Sequence, residues 1–245
     1  MADHSWLSER PYAHRGLHET GVPENSLAAF SAAMERGFGI ECDVRVSADG
    51  RAMVFHDAEL DRLTGQSGKT ADQSVGALTA LTLLGSKESI PTLRDMLAHA
   101  AGKVPLLLEL KSDKTTNVHK LCRAVRRDLE GYSGHVAVMS FDPRISAWFA
   151  QRVPGMARGL VITEEGARTL TGGFKRAAFI RHAKPQFLAY DIRDLPSRFA
   201  SKQAARGLPL LTWTVRSSAH AQTALECGAT PIAEGPGVAA WESLT

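Results

Sequence analysis

The sequence predicts an α/β protein of the TIM (β/α)8 barrel class. Short apolar segments with strand character alternate with helix-like segments along the whole chain, and eight such strands can be counted. Their nearly continuous apolar character is typical of parallel strands that are buried on both faces. The length of 245 residues fits one barrel, so we expect a single domain over residues 1–245. An open doubly wound sheet is the alternative, but no glycine-rich phosphate fingerprint follows the first strand.

The predicted strands have an apolar centre, and most carry polar residues near the end. In chain order they read PYAHR, GIECDV, VPLLLELK, VAVMSF, RGLVIT, FLAYDI, LPLLTWTV and TPIAEG. The first helix is expected to start within residues 23–26 and to end at Gly37, because proline and serine favour helix starts and glycine favours helix ends. Further helices are predicted over residues 91–102, 117–130, 143–151, 173–182, 196–206 and 218–226.

An extra β-hairpin arm is predicted after the second strand. The turn signal Ser47-Ala48-Asp49-Gly50 is followed by the returning segment AMVFHD, and an Asp-Gly pair favours a tight hairpin. Residues 57–90 are polar and turn-rich without a strong period. We therefore expect a small excursion there, with short helices at most.

Composition and charge exclude several classes of protein. Charged residues make up 22% of the chain and hydrophobic residues 44%, as in ordinary soluble domains. A net charge of +3 suits an anionic small molecule and is too weak to indicate nucleic acid. No apolar run has the length of a membrane span, and no secretory signal is visible at the N-terminus. Three distant cysteines indicate a reducing compartment, so we expect a cytoplasmic protein.

The segment over residues 174–184 is rich in basic side chains and predicts one weak surface contact at most. An anionic lipid surface is one partner for such a stretch. The solvated face of an outer barrel helix is the favoured interpretation, because outer helices need a polar side. The sequence gives no indication of the oligomeric state.

Glu41 and Asp43 lie two residues apart on the second predicted strand. Side chains alternate along a strand, so both carboxylates lie on the same face. A half-exposed strand with two solvated acids is the plainer interpretation of this pattern alone. If the pair is buried, however, it needs a cation or hydrogen-bond donors to compensate it. Together with Glu109 on the next strand it forms an open site for one hard divalent ion, with Mg²⁺ or Ca²⁺ favoured and Mn²⁺ as a third candidate.

Other ionisable residues concentrate at the predicted strand ends, where TIM barrels carry their active sites. His14 and Arg15 end the first strand, His56 ends the hairpin arm and Lys111 ends the third strand. Two histidines can act as general acid and general base near neutral pH. An arginine can bind two phosphate oxygens at once, and a lysine acts as a point charge. With a divalent ion, this set suits in-line displacement at phosphorus.

In combination, these motifs resemble the glycerophosphodiester phosphodiesterase family over nearly the whole chain. The order and spacing of that family are matched by AHRG, PENSLAAF, IECDVRVSADG, VFHDAELDRLTG, IPTLRDML, LELK, SF and TWTV. The resemblance implies a TIM barrel with a divalent metal. It also implies hydrolysis of glycerophosphodiesters to an alcohol and sn-glycerol 3-phosphate.

The resemblance further implies roles for nine residues of this chain. It matches the acid/base pair to His14 and His56 without dividing the two roles between them. The implied metal ligands are Glu41, Asp43 and Glu109, and the implied substrate- or phosphate-binding residues are Arg15, Lys111, Asn25 and Trp213. Of the last four, the asparagine is placed to orient the groups around the metal. The tryptophan matches an aromatic residue beside the glycerol or alcohol part of the substrate.

Two positions depart from the pattern of the family. Arg216 stands where members often have asparagine after TWTV, and Ala233-Glu234 stands where they often have threonine-aspartate before a late proline. Both lie near the expected rim of the site. They therefore bear on substrate detail more than on the reaction.

Three other functions compete with this interpretation. The same chemistry on lysophospholipids would need an apolar channel. A non-catalytic barrel that binds a glycerophosphodiester would not need a pair of proton-transferring histidines. A sugar isomerase or aldolase barrel would be expected to use a Schiff-base lysine or a histidine-rich metal site.

Overall fold

A computed structural model of the chain describes residues 4–245. The strands of this part of the chain are β1 (Tyr12–His14), β2 (Gly39–Val46), β3 (Ala52–Val54), β4 (Leu106–Leu110), β5 (Val136–Ser140), β6 (Ala157–Ile162), β7 (Phe187–Asp191), β8 (Leu210–Val215) and β9 (Thr230–Ala233). The helices are α1 (Leu27–Glu35), α2 (Asp61–Thr64), α3 (Val75–Thr79), α4 (Leu93–Ala100), α5 (Val118–Asp128), α6 (Pro143–Arg152), α7 (Leu170–Ala183), α8 (Arg198–Ala204), α9 (Ser218–Glu226) and α10 (Pro236–Glu242). Short 3-10 helices cover Ser5–Ser8, Thr70–Asp72 and Ile192–Asp194.

The contacts divide the chain into two compact units. The β2–β4 unit is Arg15–His135, and the β5–β9 unit is the chain up to His14 together with Val136–Thr245. The expectation of one domain stays a prediction.

In the β2–β4 unit, two parallel strands align the acidic residues. β2 and β4 pair in a register that sets Asp43 opposite Glu109. β3 runs antiparallel on the other side of β2, with Val44 opposite Val54. The predicted hairpin arm is therefore confirmed, and it lengthens β2 beyond the predicted segment.

In the β5–β9 unit, six strands follow the order β1-β9-β8-β7-β6-β5 and are all parallel. Tyr12 of β1 lies opposite Ile232 of β9, and Asp191 of β7 lies opposite Trp213 of β8. The helix α10 at the end of this unit was not predicted from the sequence.

The strands other than β3 are eight in number among the described residues, and each has a parallel neighbour within its own unit. A helix follows each of them along the chain. This repeat of parallel strand and helix confirms the predicted TIM-barrel class, with β3 as the extra strand.

The excursion after β3 contains only short helices, as predicted, but it has an apolar core of its own. Met53 and Phe55 from the hairpin arm pack against Leu60, Leu78 and Ile90, and all five side chains are buried. This cluster fixes the excursion beside β3, so the segment can form a stable wall next to the strand ends.

No helix of residues 4–245 combines the length and apolar character needed to cross a membrane. On the basic helix α7, Phe174 is 77% exposed, whereas the Arg176 guanidinium lies 3.5 Å from the carboxylate of the buried Glu164. Part of the predicted basic surface is therefore used inside the protein, and a lipid contact of this helix stays a prediction.

Candidate active site

Three carboxylates meet on the parallel strands β2 and β4. Glu41 and Asp43 alternate with buried apolar residues on β2, and Glu109 lies opposite Asp43 on β4. All three are buried, and one oxygen of each lies within 4.8 Å of the others. Such a group of acids is unfavourable away from water unless positive charge compensates it.

Two cationic side chains offset part of this charge. Lys111 Nζ lies 2.8 Å from Glu109 Oε1 and 3.1 Å from Asp43 Oδ1. Arg15 Nε lies 3.1 Å from Asp43 Oδ2, and the Arg15 backbone N–H donates to Glu41 Oε2 at 3.0 Å. Burial alone would lower the pKa of the Lys111 ammonium, but Asp43 and Glu109 raise it above its ordinary value. Three carboxylates still face two cations, so the cluster retains an excess of negative charge.

Glu41 carries the clearest mark of this excess. Burial, and then the neighbouring charges of Asp43 and Glu109, raise the pKa of Glu41 well above its usual range. Its Oε1 atom is buried and accepts no hydrogen bond from residues 4–245. A buried carboxylate oxygen without a donor can serve as a ligand for a cation. Three carboxylates in this arrangement fit a hard divalent ion such as Mg²⁺ or Ca²⁺.

The loop before α1 holds Arg15 and Asn25 against β2. Asn25 Nδ2 donates to Asp43 Oδ2 at 2.9 Å, and Asn25 Oδ1 accepts the Asp43 backbone N–H at 3.1 Å. Arg15 and Asn25 both have φ of 57°, in the left-handed region that asparagine tolerates better than most residues. A Cβ on Gly16 would lie 2.8 Å from the backbone of Ala29 in α1, so glycine allows the close approach. The HRG and PEN motifs therefore shape the backbone that positions these two side chains.

His56 belongs to a chain of charged contacts on the same unit. Its Nδ1 lies 2.6 Å from Asp57 Oδ1. Arg62 donates to Asp57 at 2.6 Å and to both oxygens of Glu24 at 2.8 and 2.9 Å. Glu24 also accepts from Arg15 Nη1 at 2.7 Å. Burial lowers the pKa of His56 below its usual value, and Asp57 fixes the orientation of the ring.

His14 ends β1 in the β5–β9 unit and is almost fully buried. Its Nδ1 is hydrogen-bonded to Oε2 of Glu234. The other oxygen of Glu234 accepts from Arg216 Nε at 2.5 Å, and the Glu234 backbone N–H donates to Val215 O at 3.1 Å. The two positions that depart from the family pattern, 216 and 234, are thus in contact with each other.

Trp213 on β8 presents an aromatic ring that is fixed by two contacts. Its indole N–H donates to Ala189 O at 3.0 Å. Its ring meets Phe141 edge to face, with centroids 5.3 Å apart and planes at 82°. Phe141 is 43% exposed. The two rings form a partly open apolar surface that can contact the hydrocarbon part of a ligand.

The structure divides the nine predicted site residues between the two units. The β2–β4 unit contains Arg15, Asn25, Glu41, Asp43, His56, Glu109 and Lys111. The β5–β9 unit contains His14 and Trp213.

Sequence reasoning missed three further charged residues that support predicted ones directly or through a neighbour. These are Glu24, Arg62 and, as the partner of His14, Glu234. Glu24 lies in the PENS motif and could have been found as a neighbour. For Asp57, its place directly after His56 is compatible with orienting that ring, with approaching the metal or with capping a helix, and the structure has it hydrogen-bonded to His56. The contact between Arg62 and Glu24 spans 38 residues and that between His14 and Glu234 spans 220, and no local signal reports pairs so distant.

The fold and these side chains define the class of protein. It is a TIM barrel with polar side chains at or near its strand ends. Among them are three carboxylates paired with a lysine and an arginine, and two histidines that are each hydrogen-bonded to a carboxylate. A model of the glycerophosphoryl diester phosphodiesterase family matches residues 14–234. The chain belongs to this family.

Two proteins of similar sequence carry the name of the same family. "Probable glycerophosphodiester phosphodiesterase 2" of Mycobacterium tuberculosis is 37% identical over 124 residues, which cover 49% of this chain and 46% of the relative. A glycerophosphodiester phosphodiesterase of Caldanaerobacter subterraneus is 41% identical over 108 residues, which cover 41% of this chain and 44% of the relative. The chain thus spans less than half the length of these two relatives.

Solved structures share the fold over almost the whole chain. An Oleispira antarctica phosphodiesterase in complex with the product sn-glycerol-3-phosphate has a TM-score of 0.84 at 22% identity, and the match covers 98% of each chain. A glycerophosphodiester phosphodiesterase from Parabacteroides distasonis has a TM-score of 0.80 at 21% identity, and the match covers 96% of each chain. These likenesses independently establish the fold class.

Proposed function

We propose that this protein hydrolyses glycerophosphodiesters to an alcohol and sn-glycerol 3-phosphate with the help of one divalent metal ion. The observation that carries the proposal is the buried cluster of three carboxylates with Lys111 and Arg15 bound to it. Carboxylates attract a metal, and cations beside them can bind a phosphate. Membership of the family and the product named for the Oleispira protein support this class of substrate.

Glu41, Asp43 and Glu109 would hold the ion, with Mg²⁺, Ca²⁺ and Mn²⁺ as candidates. When bound, such an ion offsets negative charge on the phosphate oxygens and holds a glycerol hydroxyl. The free Oε1 of Glu41 supplies one ligand atom without breaking an existing hydrogen bond. Asn25 keeps Asp43 in place through its two hydrogen bonds.

Arg15 and Lys111 would both bind the phosphate group through their positively charged N–H donors. An ammonium has three N–H donors, and Lys111 uses one of them on Glu109, while its ion pair with Asp43 Oδ1 at 3.1 Å is not a hydrogen bond. A guanidinium has five donors, and Arg15 uses Nη1 on Glu24, while its Nε lies 3.1 Å from Asp43 Oδ2 without a hydrogen bond. Each side chain therefore retains donors for phosphate oxygens while its position is fixed by carboxylates.

His14 and His56 would carry the protons. One imidazole takes the proton of the attacking hydroxyl, whose oxygen forms the new bond to phosphorus. The other imidazole gives a proton to the alcohol oxygen as its bond to phosphorus breaks. The attacking hydroxyl is that of water or of the substrate's own glycerol. In the second case a cyclic phosphate forms, and water then opens it to sn-glycerol 3-phosphate in a second displacement. In both residues a carboxylate holds Nδ1, which leaves Nε2 for proton transfer.

The test is release of sn-glycerol 3-phosphate from glycerophosphocholine and glycerophosphoethanolamine by metal-stripped protein. Mg²⁺, Ca²⁺ or Mn²⁺ is then added back singly. Release that depends on the added metal and is lost in Glu41→Gln supports the proposal. Full activity without metal, or in a folded Glu41→Gln protein, contradicts it.

The rival functions make different predictions for the same assays. Hydrolysis of lysophosphatidylcholine micelles would indicate a lysophospholipase D-like activity. Tight binding of glycerophosphodiesters without any turnover would indicate a binding barrel. We favour neither, because most of the residues that line the cavity beside the cluster are charged or polar, and two oriented histidines serve no purpose in binding alone.

The cytoplasm is the location that we propose for this protein. Cys42, Cys122 and Cys227 form no disulfide in the structure, and the first two are buried. Scattered cysteines without disulfides are typical of reducing compartments. If the protein were found to be secreted and to keep its activity under oxidising conditions, this would argue against a cytoplasmic location.

A further inference from the structure

A cavity of about 330 Å³ lies beside the acidic cluster in the β2–β4 unit. Its walls come from the end of β2, from the excursion and from the loop after β4. Lys111 lines this cavity and also forms the ion pairs with Asp43 and Glu109. A phosphate bound by Lys111 would therefore lie at the edge of the cavity, with one of its two ester groups inside.

The proposed function decides which ester group this is, and the inference rests on it. In that reaction the glycerol hydroxyl is held at the three carboxylates. The other ester group, the departing alcohol, is then the one that can enter the cavity. A cavity of this volume falls within the range of small-molecule sites.

Positive charge dominates the walls of this cavity. The cationic lining residues are Arg45, Lys69, Lys111 and Lys120, and the acidic ones are Glu59 and Asp113. No aromatic side chain is among its lining residues. A quaternary ammonium group is normally held by aromatic rings or by negative charge. A cavity with four cations, two acids and no aromatic side chain in its lining therefore disfavours it.

Arg45 is one of three half-buried cations of the set, with Lys111 and Lys120. It follows Glu41 and Asp43 at the same two-residue spacing on β2, so it lies on the same face of the strand. Its Nε donates to His56 O at 2.7 Å, and no carboxylate of residues 4–245 forms an ion pair with it. Its terminal N–H groups can therefore donate to a ligand.

Asp113 offsets part of this charge, but its Oδ1 is already engaged by four hydrogen bonds and is not a free acceptor for a ligand. Its Oδ1 accepts the backbone N–H groups of Thr115 and Thr116 at 2.8 and 3.0 Å, and also both threonine hydroxyls. The carboxylate is thus committed to the turn after β4. Glu59, the other acid of the lining, is exposed and forms an isolated β-bridge with Lys69.

We propose that this cavity is the subsite for the departing alcohol and that it selects polyhydric alcohols, such as glycerol, over the quaternary ammonium alcohol choline. Hydroxyl groups accept hydrogen bonds from Arg45 and the lysines without bringing positive charge. Choline brings a permanent positive charge next to four cations.

The experiment compares kcat/KM for glycerophosphoglycerol and glycerophosphocholine with the metal-loaded protein. Lys69→Glu reverses one charge on the exposed wall, and Lys69 makes no side-chain hydrogen bond or ion pair with residues 4–245. The control is Lys103→Glu, at an exposed lysine before β4 and outside the cavity.

We expect the wild type to prefer glycerophosphoglycerol. Lys69→Glu should raise kcat/KM for glycerophosphocholine about fivefold, the size of an exposed charge interaction, and the control should not.

Arg45→Gln provides a second, independent variant. It should lower the ratio of kcat/KM for glycerophosphoglycerol over glycerophosphocholine about tenfold, because a charged donor to the polyol is lost. Any indirect effect on His56 would lower both rates alike and leave the ratio unchanged.

The outcomes separate this inference from the proposed function. Turnover of both diesters with a preference for choline, or a ratio that neither Lys69→Glu nor Arg45→Gln changes, overturns the subsite and leaves the proposed function intact. Absence of turnover of either diester with every metal overturns the proposed function and this inference together.

Discussion

Glu234 holds the Nδ1 atom of His14 from a position 220 residues further along the chain. The same carboxylate is anchored by Arg216, which is 56% exposed at its side chain. A buried histidine with one nitrogen fixed by a carboxylate has a defined tautomer and ring orientation, and both are needed for proton transfer. Glu234 and Arg216 are therefore positioning residues for His14 in the proposed reaction.

Glu234→Gln should lower kcat about 10- to 100-fold with little change in KM, because an amide cannot fix the tautomer as a carboxylate does. Arg216→Ala should cost less, since it removes only the outer support. Both are measured by steady-state hydrolysis of the best diester.

A rescue experiment distinguishes positioning from general damage. The double variant Glu234→Asp/Arg216→Asn restores the residue types that are frequent in the family at these two positions. It should recover more activity than Glu234→Asp alone, because the shorter acid no longer needs the long arginine. Equal activity of the two would argue that Arg216 and Glu234 act independently.

These two positions also show where sequence reasoning stops. From the sequence, both positions depart from the family pattern and bear on substrate detail more than on the reaction. Their contact depends on how β1, β8 and β9 align, and no local period encodes that alignment. In contrast, the E-x-D pattern of Glu41 and Asp43 was predictable, because alternation along one strand fixes their common face.

The same distinction applies to the fold. The eight parallel strands were predictable because buried strands are nearly continuous in apolar residues. The contacts that hold the site residues in place were less predictable from the sequence. The family resemblance implies that Asn25 orients the groups around the metal, and its side chain does hydrogen-bond to Asp43. The left-handed backbone that brings it there is not reported by sequence patterns.

Asn25→Ala should destabilise the protein by about 2 to 4 kcal/mol. It removes both hydrogen bonds to the buried Asp43 and puts alanine at a φ of 57°. Asn25→Gly loses the same hydrogen bonds but accepts the backbone conformation, so it should be about 1 kcal/mol less destabilising. Urea unfolding of the two variants measures the difference. Identical free energies of unfolding would show that the left-handed conformation relaxes at no cost.

Asp113 provides a pH-dependent prediction for the turn after β4. Its hydrogen bonds to Thr115 lead the causes that lower its pKa from 3.8 to about 2. An acid with a lowered folded-state pKa stabilises the protein above its unfolded pKa, and this contribution is lost as the pH falls toward the folded value. Asp113→Asn should therefore cost about 0.5 kcal/mol at pH 6, a small value because the carboxylate is exposed. The cost should shrink at pH 3.

Urea unfolding at both pH values, with Asp72→Asn as an exposed-acid control, checks this prediction. A cost of Asp113→Asn that is the same at pH 6 and pH 3 would show that the turn does not depend on the charge of the carboxylate.

The metal site itself can be tested without any substrate. Adding Mg²⁺, Ca²⁺ or Mn²⁺ at about a hundredfold excess over Kd should raise the Tm of the metal-stripped wild type by about 5 to 10 °C, because a ligand that binds only the folded state stabilises it.

Glu41→Gln removes one buried carboxylate and the free Oε1 that would bind the ion. The variant should lose most of this rise. Without metal it should be at least as stable as the wild type, because one unpaired buried charge is gone. Glu35→Gln, an exposed acid on α1, should keep the full rise. An equal rise in Glu41→Gln and wild type would show that the ion binds outside this cluster.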